Sequence, residues 1–288
     1  MSRPNPEIPN QTRHHDHPRP ALVGPLQSTW LAATIDLQQV DSTNAFARHV
    51  LERDHDGLWP LPLAVSTRHQ RAGKGRGTKS WWSDAGTLTL TVALDPDAHA
   101  LKLNHQPRLA LACAVAIVDV VEPLAPQARW LIRWPNDVEA DGLKVAGLLP
   151  ERFETPRGDR LILGIGLNVS TDWSRAPEEV RRMAASVESI RETILEDRER
   201  LGLASRLLEQ LAVRLAQLAT DQPELAERWD QLDQLKGSSV RVRQGQRVLE
   251  GVGAGIDPTG ALRLHTAEGS TQSIVSGVVE RNRSSRNA

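Results

Sequence analysis

Residues 73–80 read Gly-Lys-Gly-Arg-Gly-Thr-Lys-Ser, one residue away from the phosphate-binding pattern G-x-x-x-x-G-K-[ST], with Thr78 in place of the last glycine. That pattern needs a strand before the loop and a helix after it, because the helix N-terminus supplies the amides that hold phosphate. Here "PLAVSTRHQ" precedes the loop and "WWSDAGTLTLTVAL" follows it. The first is a strand pattern. The second is a turn, then an alternating strand over 87–94 rich in Thr and Val. A strand–loop–strand path disfavours a P-loop fold and points to a sheet carrying a cationic glycine loop.

Three uses of such a loop stay open. Arg68, Arg71, Lys74, Arg76 and Lys79 with Trp81 and Trp82 offer charge and stacking for single-stranded nucleic acid. The same residues also describe a solvated basic loop with half-buried tryptophans. Thirdly, glycines let a backbone approach a ligand closely, and interleaved cations can offset phosphate charge in a loop that closes over an anionic intermediate. The formal net charge of −1 gives no global attraction to nucleic acid or anionic membrane, so any basic function is local.

The rest of the chain reads as alternating helix and strand signals. "DSTNAFARHVLERD" (41–54) predicts a helix, with Asp41, Ser42 and Thr43 as capping residues and Phe46, Ala47, Val50 and Leu51 as its apolar stripe. Pro107 opens a buried helix that runs to about Val121. Its apolar stretch is too short to span a bilayer and carries Asp119. Cys113 lies inside it and reads as a core thiol; a lone cysteine forms no intrachain disulfide and fits a reducing cytosol. Residues 128–134, 143–152 and 160–170 predict three further strands, and 177–230 carry helical periodicity.

The two ends differ in texture. Residues 1–27 are proline-rich, lack the apolar core of a secretory signal, and predict a disordered tail. Their His14–His17 cluster has no cysteine or spaced carboxylate to complete a metal site. After Trp229 come short alternating runs separated by "QGQ", "DPTG" and "AEG". These predict a small antiparallel β unit over 236–283, behind a larger α+β unit over 28–231.

A second constellation is "RWPNDVEADGLKVAGLLPE" (133–151). A strand–turn–strand of this length brings Asp137 and Lys144 together across a hairpin. An exposed pair of this kind is commonly structural and worth only about 0–1 kcal/mol. In "LGIGLNVS", Gly164 and Gly166 interrupt an apolar strand, which marks close approach by a ligand or another chain segment, and Asn168 follows near the strand end.

Taken together, "STN" (42–44), "QRAGKGRGTKSWWS" (70–83), "RWPNDV" with "KVAGLLPE", and "GIGLNVS" resemble, in order and spacing, the motifs of biotin protein ligases. The second motif of that family usually reads Q-x-x-G-R-G-R-x-G-R-x-W. The resemblance covers nearly all of residues 28–283. It implies an α+β catalytic domain of the class II aminoacyl-tRNA synthetase-like kind. This would be a mixed β-sheet with helices packed on one side, followed by a small C-terminal SH3-like β-barrel. It also implies a cytoplasmic enzyme that makes biotinyl-5′-AMP from biotin and ATP, then passes biotin to a lysine of a biotin carboxyl carrier protein of acetyl-CoA carboxylase.

Site roles follow from the same resemblance. Ser42, Thr43, Asn44, Gln70, Gly73, Lys74, Trp81, Lys144 and Gly147 match the biotin site, with Trp81 as an apolar wall. Arg76, Lys79, Asn136, Asp137 and Asn168 match the ATP and adenylate site. Lys144, Arg76 and Asp137 are the catalytic candidates: Lys144 on the carboxylate and α-phosphate, Arg76 on the phosphates, Asp137 on the incoming amine. Mg²⁺ is expected with ATP and no metal cluster of the protein's own. No membrane partner is expected, and a homodimer stays open.

The sequence departs from the pattern at Lys74 and Lys79, which replace arginines, and at Thr78, which replaces a glycine. Lysine keeps the charge and loses the bidentate fork, which bears on how tightly an adenylate is held. Lipoate–protein ligases share the acyl-adenylate chemistry but carry a glycine triplet that is absent here. A non-catalytic biotin-binding homologue is disfavoured by the presence of Lys144 and Arg76. Regulatory relatives add an N-terminal helix-turn-helix domain; residues 1–27 are too few and too proline-rich for one, so no DNA partner is expected.

Overall fold

The computed structural model describes residue 26 and residues 28–280. Apart from Leu26, the segment expected to be a disordered tail, His14–His17 included, lies outside the described residues. In chain order the elements are β1 (Ala33–Leu37), α1 (Thr43–Glu52), β2 (Leu63–Thr67), β3 (Thr87–Leu94), α2 (Gln106–Val121), β4 (Trp130–Arg133), β5 (Asp137–Ala140), β6 (Leu143–Thr155) and β7 (Gly158–Asn168). Then come α3 (Glu178–Arg181), α4 (Val187–Arg191), α5 (Asp197–Ala219) and α6 (Pro223–Leu232). The last elements are β8 (Ser239–Gln244), β9 (Arg247–Ile256), β10 (Leu262–His265), β11 (Thr271–Ile274) and β12 (Val278–Val279).

The first seven strands form one sheet in the order β1-β2-β3-β7-β6-β5-β4. Only β1 and β2 pair in parallel, so the sheet is mixed, as expected. Helices cover both faces rather than one. Leu63, Val65, Ala93 and Ile162 pack with Ala47 and Leu51 of α1, whereas their strand neighbours Ala64, Val92, Leu94, Leu161 and Leu163 pack in the cluster of α2 and α5. The period of two along each strand sends alternate residues to opposite faces, and β2 and β3 are buried along their whole length.

Helix α2 is apolar nearly all round because it lies between the sheet and α5, whose Leu207, Leu211, Leu215 and Leu218 are buried in the same core. Truncating such a leucine costs about 2–5 kcal/mol. Asp119, the charge within this apolar helix, is held by two arginines. Arg214 donates to it through Nη2 at 2.6 Å and Arg228 through Nε at 3.2 Å. Cys113 is buried, which pushes its thiol pKa up to about 12, so it is not a thiolate nucleophile.

Strands β8–β12 form a five-stranded antiparallel sheet in the order β11-β10-β9-β8-β12. It rests against the large sheet: Trp134 Nε1 donates to Gly260 O at 3.1 Å, and Arg133 Nη2 donates to Glu280 O at 3.1 Å. Among the described residues no helix is long and apolar enough to cross a membrane.

Candidate active site

A cavity of about 570 Å³ opens where four segments of the large sheet meet the C-terminal sheet. The segments are the start of α1, the glycine loop, the β4–β5 turn and the middle of β6 and β7.

Its floor is made of glycines. Gly147 of β6 pairs with Gly166 of β7, and the Trp81 ring lies on both. A Cβ added at Gly166 would sit 2.4 Å from that ring; one at Gly147 would sit 3.0 Å from it and 3.1 Å from Lys144 Nζ. At Gly164 a Cβ would meet Asn44 Oδ1 at 2.4 Å. The close approach expected at the strand glycines is therefore made by side chains of other segments.

The glycine loop is a compact turn. Gly75 N donates to Lys79 O at 2.7 Å, Trp81 N donates to Gly73 O at 2.8 Å, and Gly77 takes a positive φ of 63°. Gly73 is outside the cavity lining; a Cβ there would sit 2.4 Å from Trp81 O, so its role is to let the loop ends meet. Trp81 and Trp82 are half-buried, and Trp82 packs on Trp173 with ring centroids 5.8 Å apart. Both rings are engaged by protein, which removes the free stacking platform that nucleic-acid binding needs.

One wall is a buried polar network at the start of α1. Ser42 caps the helix, its Oγ accepting from Ala45 N. Thr43 donates to Gln70 Oε1 from its backbone N at 2.8 Å and its Oγ1 at 3.2 Å. Thr91 Oγ1 lies 2.8 Å from Thr43 Oγ1 and 2.7 Å from Asn44 Oδ1, and Asn44 Nδ2 donates to Glu151 Oε2 at 2.9 Å. Thr91 of β3 is thus the support beneath the "STN" motif.

The opposite wall is cationic. Lys74, Arg76, Lys79, Arg133, Lys144 and Arg243 line the cavity against one carboxylate, Asp137. Lys144 Nζ is 2.6 Å from Asp137 Oδ1 and 5.5 Å from the Trp81 ring centroid. The β5–β6 hairpin brings them together: Asp137 pairs with Gly147, and a register shift between Val138 and Glu139 sets Lys144 opposite Glu139. Half-buried Arg76 has its pKa lowered by desolvation, partly offset by the charge of Asp137. Its Nη1 donates to Gly277 O of the C-terminal sheet at 3.4 Å.

Asn136 lines the cavity with its Nδ2 tied to Leu148 O at 2.7 Å, which fixes the turn that presents Asp137. Asn168 does not line it. Its buried Nδ2 donates to Ala185 O at 3.2 Å and lies 3.5 Å from Lys144 O, so it holds the backbone that carries Lys144. Among the described residues no three His, Cys, Asp or Glu side chains gather as a metal site. Arg243, Gln244, Ser276 and Gly277 also line the cavity, a contribution that no local sequence pattern signals, since it arises from contact between two sheets.

The biotin/lipoate A/B protein ligase family matches residues 37–168, and the biotin protein ligase C-terminal domain matches residues 237–281. The chain is 35% identical over 253 residues to the biotin–[acetyl-CoA-carboxylase] ligase of Mycobacterium tuberculosis, covering 85% of this chain and 87% of that protein. It is 31% identical over 237 residues to the ligase of the same name from Paracoccus denitrificans, covering 81% of this chain and 94% of that one. Among solved structures, the biotin protein ligase of Aquifex aeolicus in complex with biotin and ATP superposes with a TM-score of 0.71. That pair is 25% identical, with 88% of this chain and 100% of that chain covered. With its sheet order, glycine floor and loop all in place, the chain belongs to the biotin protein ligase family.

Proposed function

We propose that this protein is an ATP-dependent biotin ligase whose acceptor is a lysine of a biotin carboxyl carrier protein, acting in the cytoplasm. The observation that carries the reading is the placement of the Lys144–Asp137 pair on the cationic wall beside the Trp81 ring. Such a cavity takes a ligand with an apolar end, a carboxylate in the middle and a polyanion beyond it. We also read residues 28–231 as the catalytic unit and 236–283 as a separate β-barrel that completes the wall.

In the first step a biotin carboxylate oxygen attacks the α-phosphorus of ATP. The new C–O–P linkage forms as the bond to the β-phosphate breaks, and pyrophosphate leaves. Lys144 bridges the carboxylate and the α-phosphate, and Arg76, Lys79 and Lys74 offset charge on the departing phosphates. Ser42, Thr43, Asn44 and Gln70, with the backbone of Lys74, hold the polar ring of biotin, and Trp81 with Gly147 forms the slot for its apolar chain; Gly73 acts behind them, by letting the ends of the loop meet. Asn168 supports the adenylate site indirectly, through the Lys144 backbone.

In the second step the acceptor amine attacks the acyl carbon. A C–N bond forms, the acyl C–O bond to AMP breaks, and AMP leaves with the electron pair. Asp137, presented by Asn136, takes the surplus proton. Mg²⁺ would enter this site with the triphosphate; Asp137, the one carboxylate of the lining, would help hold it on the protein side, and bound there it would neutralise phosphate charge.

Mass spectrometry of the protein incubated with ATP, Mg²⁺ and either biotin or lipoate tests this, with a carrier domain added in a second stage. Biotinyl-AMP and then a biotinylated carrier are expected. Lipoyl-AMP in its place would move the chain to the lipoate branch of the family, and no adenylate would sink the enzymatic reading.

A further inference from the structure

A second concavity of about 420 Å³ adjoins the cavity. The two share Arg76, Gly77, Trp134, Pro135, Asn136 and Leu149, so the tip of the glycine loop stands between them. The outer groove has one charged lining residue, Arg76. One bank carries Leu103, Pro107 and Pro150 of the large α+β unit, and the other carries Gly260 and Val275 of the C-terminal sheet.

Its rims are exposed apolar side chains. Leu103 is 68% exposed and Val275 65% exposed. Of the eight large apolar side chains exposed among the described residues, Leu103 and Val275 line this groove and Val278 lines the adjoining cavity. Clustering of that kind marks an interaction surface, whereas scattered single residues would not.

We infer that this groove docks the segment of the carrier protein that flanks the acceptor lysine. The inference rests on the proposed ligase function. Once an adenylate fills the inner cavity, the amine must arrive from outside and reach Asp137. The groove leads there, since it runs to Asn136, the neighbour of Asp137. A channel with a single cation does not suit a polyanion, but it does suit apolar residues on either side of a lysine. Shared banks also mean that the carrier touches both sheets, and a transient interface of this sort is small, below about 1,200 Å².

The test uses the full chain with Leu103→Asp, Val275→Asp and the double variant, each at an exposed position. Three rates are measured: biotinyl-AMP formation, transfer to a purified carrier domain, and discharge of the adenylate to hydroxylamine. Expected are adenylate formation and hydroxylamine discharge within twofold of wild type. Transfer should fall at least tenfold in the double variant, mainly through a higher KM for the carrier. Unimpaired transfer would overturn the inference while leaving the ligase function standing. So would an equal loss in hydroxylamine discharge, which places the residues in the chemistry, or loss of a wild-type dimer by sedimentation, which makes a second copy the occupant. Absence of biotinyl-AMP from the wild type would overturn both.

Discussion

Lys144 Nζ lies 2.6 Å from Asp137 Oδ1 while also standing 5.5 Å from the Trp81 ring centroid, so one ammonium joins the acidic and apolar sides of the cavity. The two members of the pair should separate by half-reaction. Removing a group that offsets transition-state charge costs about 10²–10³ in rate. Lys144→Ala is therefore expected to lower adenylate formation by about that factor. Asp137→Asn keeps the shape and loses the base, so adenylate should still form within about tenfold while transfer to the carrier falls further. Pyrophosphate exchange reads the first step and carrier labelling the second; an equal loss in both for Asp137→Asn would remove Asp137 from its role as base.

Gly166 has its structural reason in Trp81. A Cβ there would sit 2.4 Å from the indole, far inside contact distance, and the ring would have to leave the floor. Gly166→Ala is expected to weaken biotin binding about tenfold or more while the chain stays folded, because the displaced ring is half-buried and the strand remains paired. Calorimetric titration with biotin checks this. Affinity equal to wild type would mean that Trp81 does not wall the biotin slot.

Much of this was legible from the chain. The strand at 87–94, the α1 cap at Ser42 and the Asp137–Lys144 hairpin are all local patterns, set by alternation, capping chemistry and a short turn. β1, a five-residue strand with two of its positions exposed and three partly so, has too short a pattern to stand out. Helices on both faces leave no local signal, because α1 is short and its partners are every second residue of distant strands. The resemblance assigns Asn168 to the adenylate site; its neighbours in the fold are two backbone carbonyls from segments 17 and 24 residues away, a pairing that only the folded sheet creates.

His105 gives the fold a pH dependence. It is 1% exposed, neither ring nitrogen has a hydrogen-bond partner among the described residues, and Asp221 Oδ2 lies 3.7 Å away. Burial lowers its pKa, Arg108 and Lys102 lower it further, and Asp221 opposes them. A group depressed in the fold, against about 6.5 when unfolded, contributes full stability above that value and loses it as pH falls through the folded value. Asp221, held below the usual carboxylate range chiefly by its hydrogen bond from Arg108, stays ionised over this window. Tm is therefore expected to fall between pH 7 and pH 5, and His105→Gln should flatten that part of the profile. Parallel wild-type and variant profiles would show that another group titrates.

Arg76 separates holding the intermediate from making it. Its guanidinium lines both the cavity and the groove and reaches across to Gly277 O at 3.4 Å, so it bars the route between adenylate and solvent. When Arg76 is lost, Lys144 remains to bridge the reacting oxygens, and Lys74 and Lys79 of the same wall remain to share the charge on the departing phosphates, so the loss falls below that of a sole cation. Arg76→Ala is thus expected to form biotinyl-AMP within about tenfold of the wild-type rate and to release it at least tenfold faster. Arg76→Lys should fall between, because lysine keeps the charge but cannot span the same two partners with a rigid fork. Rapid gel filtration of preformed adenylate complexes, followed over time, measures the release. Equal retention by wild type and Arg76→Ala would show that the loop does not close the cavity through this residue.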